Sequence, residues 1–178
     1  MGRSSDRNRV DTHTCVARDR GLVAQAPAVE RFVAAATKLG IQPEVNTFPK
    51  DTRTAQQAAE ALGCELGQIV KSLIFKAGDE LVLVLTSGVN RVDETKAATL
   101  FDVDKLGKAN ADEARIATGF AIGGIPPCGH PTPLRSVIDT DLLTWQTVWA
   151  AAGAPDAVFE ITPERLVEIT GATPSAVS

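Results

Sequence analysis

The chain has 178 residues, 44% of them hydrophobic and 22% charged, and a net charge of −4. These figures suit one globular domain that needs no disulfide or metal staple, and they exclude a protein that coats duplex DNA through many phosphate contacts. Three unpaired-looking cysteines (Cys15, Cys64, Cys128) fit a reducing, cytoplasmic compartment, and no run approaches the ~18 apolar residues of a membrane span.

Residues 1–22 read as a mobile extension with five Arg and three Asp. The stretch has no apolar signal core, and Asp6 breaks the myristoylation pattern. It reads as a solvated tail, with an RNA-touching arm as the alternative. Residues 23–178 read as a single domain.

APAVERFVAAATKLG spaces Val29, Phe32, Val33, Ala36 and Leu39 for a helix ended by Gly40. PEVNTF is a short strand. TRTAQQAAEALG is a helix with a Thr54/Gln57 capping box and Gly63 as its stop. QIVKSLIFKAG and ELVLVLTSG form a hairpin at the centre of a sheet. RVDETKAATLF is a helix capped by Asp93, and ANADEARIATG a helix closed by Gly119. RSVIDTDLL reads as extended, WQTVWAAAG as a short helix and AVFEI as a strand. TPERLVEITG reads as a last helix, with Thr162 as cap and Pro163 at its first position. Irregular interleaving with a hairpin indicates an α+β or mixed-sheet domain. Rossmann and Walker A fingerprints are absent, as are G-x-S-x-G and H-E-x-x-H.

Several residues carry potential chemistry. Lys71 shares a strand face with Ile69, Leu73 and Phe75, so its ammonium either meets a phosphate or carboxylate or snorkels from an edge strand. GFAIGGIPPCGH is either a tight structural turn or a binding loop. In the second case Gly123 and Gly124 aim N–H groups at an oxyanion, while Pro126 and Pro127 stiffen the wall. Cys128 and His130 invite a nucleophile pair, or with Cys64 a zinc site, but no orienting third group or paired spacing supports either. His130 reads better as a loop staple. Asp139 and Asp141 would share a strand face, either solvated or with Asp139 binding an amine or hydroxyl across from Lys71. Arg53, Thr54, Asn90 and Arg91 sit at element ends, where loops carry function.

GQIVKSLIF, a strand ending in SG with NR after it, TGFAIGGIPPCGH, VID and AAAG follow one another in this order. Together they resemble the YbaK/EbsC family of prolyl-tRNA synthetase-associated editing domains, from about residue 24 to the end. The resemblance implies a compact mixed sheet, partly barrel-like and flanked by helices. It implies a hydrolase that clears mischarged aminoacyl-tRNA in trans, on tRNA(Pro) or a related tRNA, without cofactor or metal. Its partners would be the tRNA acceptor end and prolyl-tRNA synthetase.

In that resemblance Lys71 holds the phosphate or ribose of the terminal adenosine. Gly123, Gly124, Ile125, Pro126 and Pro127 cradle the aminoacyl carbonyl through their backbone. Asp139 falls where some members have a pocket acid. Gly129 and His130 of the loop, and Arg53, Thr54, Asn90 and Arg91 at element ends, are further candidate substrate contacts read from the residues themselves. The PPCGH loop departs from the family's variable pattern, so Cys128 and His130 line the pocket and alter the cargo among alanine, cysteine, serine and threonine. Two rivals accompany this expectation: a non-catalytic module that binds a nucleotide or RNA end, and a thiol-dependent enzyme using Cys128.

Overall fold

The computed structural model describes residues 26–48 and 54–178. The 1–22 extension and Arg53 lie outside these described residues. Among the described residues, five α-helices flank one mixed sheet. In chain order the elements are α1 (Pro27–Lys38), β1 (Val45–Thr47), α2 (Ala55–Leu62), β2 (Ile69–Ala77), β3 (Glu80–Ser87) and α3 (Glu94–Leu100). Then come β4 (Leu106–Lys108), α4 (Ala111–Thr118), β5 (Ser136–Asp139), β6 (Val148–Ala151), β7 (Ala157–Ile161), α5 (Pro163–Thr170) and β8 (Thr173–Ser175).

The sheet order is β1-β7-β6-β2-β3-β5-β8, with β4 added on β2. β2 and β3 lie at the centre, joined by the two-residue turn Gly78–Asp79. β6, β5 and β8 pair in parallel with β2, β3 and β5; the remaining pairs are antiparallel.

Strand alternation gives the sheet two faces. One carries Val70, Ile74, Leu83, Leu85 and Ile138, buried with Val29, Phe32 and Ala36 of α1, Leu166 of α5, and Ile125 and Cys128 of the glycine loop. The other carries two smaller clusters. Ile69 packs with Ala58 and Ala59 of α2. Leu73, Phe75, Val82 and Val84 pack with Ala97 and Ala98 of α3 and with Phe101. Lys71 falls between these two clusters along β2.

The helix ends follow local chemistry. The Thr54 side chain accepts from the Gln57 N–H in a complete capping box, and Asp93 Oδ1 accepts from the Thr95 and Lys96 N–H groups at 2.9 and 3.1 Å. Two expectations need correction. WQTVWAAAG is not a helix: Val148–Ala151 is strand β6, locked between β2 and β7, with Val148 and Ala150 buried in alternation. Its alanines favour helix, but ladder pairing overrides that preference. RSVIDTDLL is extended only through Asp139; Thr140–Thr144 turns into a short 3-10 helix. Asp139 caps that turn, so Asp139 and Asp141 do not share a strand face.

Candidate functional site

β2 has one edge fully paired with β3 and the other only partly covered. On that second edge β6 pairs at Ile69 and Val70, and β4 pairs at Phe75–Ala77. Residues 71–74 between them meet no strand there, and all four are half-buried rather than buried. The sheet is therefore split at this point. β6 runs parallel to β2 and passes at Gly153–Pro155 into the tight turn that leads to β7.

The glycine loop is seated on that departing chain. A Cβ on Gly124 would lie 2.7 Å from the Ala154 backbone, so only glycine permits this approach. Gly123 has φ +90°, a left-handed conformation natural to glycine. The loop's start is anchored: Arg31 Nη2 donates to Gly119 O at 2.7 Å, and its guanidinium lies 5.3 Å from the Phe120 ring centroid. Its far end is stapled by His130, whose Nε2–H donates to Pro126 O at 2.8 Å. Because a carbonyl only accepts, this bond fixes the Nε2–H tautomer.

The Gly124 N–H is already committed to Ala121 O at 3.0 Å. Among the described residues, no protein group accepts from the Gly123 or Ile125 N–H. Of the two glycine amides, that of Gly124 is spent within the loop and that of Gly123 is left without a protein acceptor.

Lys71 lies on β2 within the 71–74 stretch that β6 and β4 leave uncovered. Its ammonium donates to Gly88 O at 3.2 Å and to Asn90 O. It does not meet a carboxylate, and neither Lys71 nor Arg91 takes part in an ion pair among the described residues. Lysine has three donors, so one remains for a ligand. Burial is the main influence on this group and lowers its pKa; nearby Asp139 opposes the shift and Arg91 adds to it.

Asp139 is only 1% exposed, so the solvated alternative does not hold. Its Oδ2 accepts from Thr86 Oγ1 (3.0 Å), Ser87 N–H (3.1 Å) and Asn90 Nδ2 (2.8 Å). Its Oδ1 accepts from Asp141 N–H at 3.2 Å. Asn90 Nδ2 also reaches Asp141 Oδ2 at 2.7 Å. Asp139 therefore fastens the 87–90 turn, whose carbonyls hold Lys71. It and Asn90 shape the site from behind.

Pro127, Cys128, Gly129 and His130 line a cavity of about 370 Å³ between α1 and α5, whose walls include no residue of β2. The C-terminal half of the loop therefore faces α1 and α5 across this cavity. Cys128 is buried and its thiol is pushed up to about 11 by burial. At neutral pH only about one part in ten thousand is thiolate. No Cys128–His130 hydrogen bond forms among the described residues, and no group of three metal-ligating side chains occurs there. If the chain hydrolyses an ester, as the resemblance implies, Cys128→Ala is expected to keep the rate within about threefold. A rate assay with and without iodoacetamide checks this, and complete inactivation would restore the thiol mechanism.

Burial lowers the His130 pKa below its ordinary 6.5, outweighing the bond to Pro126 O. A base with a depressed folded pKa stabilises the fold above its unfolded pKa. That stability is lost as pH falls through 6.5 to the lower folded value. Melting temperature should therefore drop between about pH 7 and pH 5, and His130→Gln should flatten that part of the profile. A variant profile parallel to the wild type would contradict this.

The geometry defines a mixed-sheet domain with a half-buried lysine beside a gap in the sheet and a glycine loop packed on the turn between β6 and β7. The chain belongs to the aminoacyl-tRNA editing domain family, whose description matches residues 49–169. It is similar to a crystal structure described as a candidate trans-editing enzyme for prolyl tRNA synthetase, with 44% identity, TM-score 0.84, 87% of this chain and 99% of that one. It is also similar to the hypothetical protein APE2540, with 30% identity, TM-score 0.75 and coverage of 83% and 98%. Uncharacterized protein YwhH of Bacillus subtilis (strain 168) is 32% identical over 135 residues, 75% of this chain and 85% of its own length. The proline–tRNA ligase of Lactobacillus gasseri is 29% identical over 139 residues; the chain spans 25% of that ligase. No helix among the described residues is long and apolar enough to cross a membrane.

Proposed function

We propose that the chain is a trans-acting cytoplasmic hydrolase that removes the wrong amino acid from mischarged tRNA(Pro) or a related tRNA, alongside prolyl-tRNA synthetase. The observation that carries this reading is Lys71. Its side chain is half-buried and forms no ion pair with a carboxylate among the described residues, which supports a role in holding an anion. With the exposed Arg91 nearby, it suits a terminal phosphate. The Gly123 N–H suits the oxyanion that develops on the ester carbonyl.

An aminoacyl ester is already activated, so positioning and charge stabilisation suffice. The ribose 2′-hydroxyl can orient the attacking water, and no protein nucleophile is needed. A second hydrolytic site serves translation because one methylene gives a synthetase only about 10–200-fold discrimination. The 3′ ends of tRNA(Pro) charged separately with alanine, cysteine, serine, threonine and proline test the reading. Fast loss of one wrong cargo with proline spared is the expected result; equal stability of all five would defeat it. A non-catalytic module is the second reading: the Gly124 amide, one of the two glycine donors expected, is spent on Ala121 O.

A further inference from the structure

The two-residue turn Gly78–Asp79 sets the hydrogen-bond phase of the central hairpin. The closing pair Ala77↔Glu80 exchanges bonds, so Phe75, Leu73 and Lys71 also face β3 with their N–H and C=O groups. Val70, Ser72, Ile74 and Lys76 face the other edge. There Val70 lies against β6 and Lys76 against β4. Ser72 and Ile74 meet neither strand, and among the described residues no loop carbonyl or amide takes their place. The Ser72 hydroxyl is also without a partner, the one such buried side-chain atom among the described residues. A row of unpaired backbone groups inside a sheet is costly unless water or a ligand meets it.

The gap from Val70 to Phe75 is five residues, about 16 Å at strand spacing. β6 and β4 close its two ends, so a continuous partner strand does not fit. A single residue bearing an amine and a carbonyl does. In a parallel ladder one residue donates to the C=O of residue i and accepts from the N–H of residue i+2. Ser72 C=O and Ile74 N–H form such a pair.

We propose that this edge receives the aminoacyl group as though it were one residue of a parallel strand. Its α-ammonium donates to Ser72 C=O, and its acyl carbonyl accepts from Ile74 N–H. Ile74 then supplies an oxyanion donor of its own, in addition to any amide of the glycine loop. This assignment rests on the editing reading and names the subsite within it.

The test uses two stable amide analogues, 3′-alanylamino-3′-deoxyadenosine and its lactyl counterpart, in which a hydroxyl replaces the ammonium. Amide hydrogen exchange is followed by NMR on the full chain, with affinity by calorimetry. In the free protein the Ser72 and Ile74 amides should exchange at least tenfold faster than those of Lys71 and Leu73. The alanyl analogue should slow Ile74 at least tenfold and bind at least tenfold more tightly than the lactyl one. Equal affinities, or protection confined to other residues, would overturn the subsite. Amine preference with Ile74 protection, but no hydrolysis of any mischarged tRNA, would keep the subsite and remove the editing reading. No binding of either analogue would overturn both.

Discussion

Lys71→Ala should lower ester hydrolysis by about 10²–10³-fold, the usual cost of losing one preorganised charge-stabilising group. The fold should survive. The ammonium is half-buried, and the Gly88 and Asn90 carbonyls it leaves can turn to water at the split. Melting temperature should therefore move by no more than a few degrees. Lys71→Arg keeps the charge but not the compact ammonium that fits between two carbonyls, so it should restore only a minor part of the rate. Single-turnover kinetics beside a thermal melt separate these effects. A rate unchanged within twofold would show that Lys71 only ties down the turn after β3.

Asp139→Ala should act in the opposite proportion, with stability lost first. The buried carboxylate satisfies four donors from Thr86, Ser87, Asn90 and Asp141. Removing it strands the Thr86, Ser87 and Asp141 donors and leaves Asn90 only its bond to Asp141 Oδ2, at about 3–5 kcal/mol. For a domain of this size that is on the order of 10 °C in melting temperature. Below the melt, the 87–90 turn should hold Lys71 less well. The loss should then appear as a raised KM for tRNA and a reduced kcat. Urea unfolding with hydrolysis assayed at low temperature checks both. A variant as stable as wild type but inactive would instead make Asp139 a direct substrate contact.

The central hairpin and the capped helices were legible because their signals are local. Alternating β-branched residues, a two-residue turn, and Thr54, Asp93 and Thr162 at helix starts each act within a few positions. β6 was misread because Val148–Ala151 is alanine-rich, and only pairing with β2 and β7 makes it a strand. β4 and β8, three residues each, carry too few residues for a periodic signal. Lys71 stood out because a cation on an apolar row is chemically costly. The partners that hold it did not, since Gly88 O and Asn90 O are backbone atoms without a sequence signature. The split beside Ser72 was invisible for a related reason. It is a gap between β4 and β6, strands distant in sequence. Hydrogen bonding also divided the glycine loop: Gly124 serves the turn and the packing on Ala154, whereas Gly123 keeps a free amide.

The central claim is turnover at the split by the chain alone. The measurement that tests it most directly is the amount of free amino acid released per protein molecule from an excess of the mischarged tRNA cleaved best, with no synthetase present. The expected result is many equivalents released, continuing linearly after the first. Protection of the ester in a stoichiometric complex, with no release above the spontaneous rate, would contradict it and leave a module that binds an RNA end.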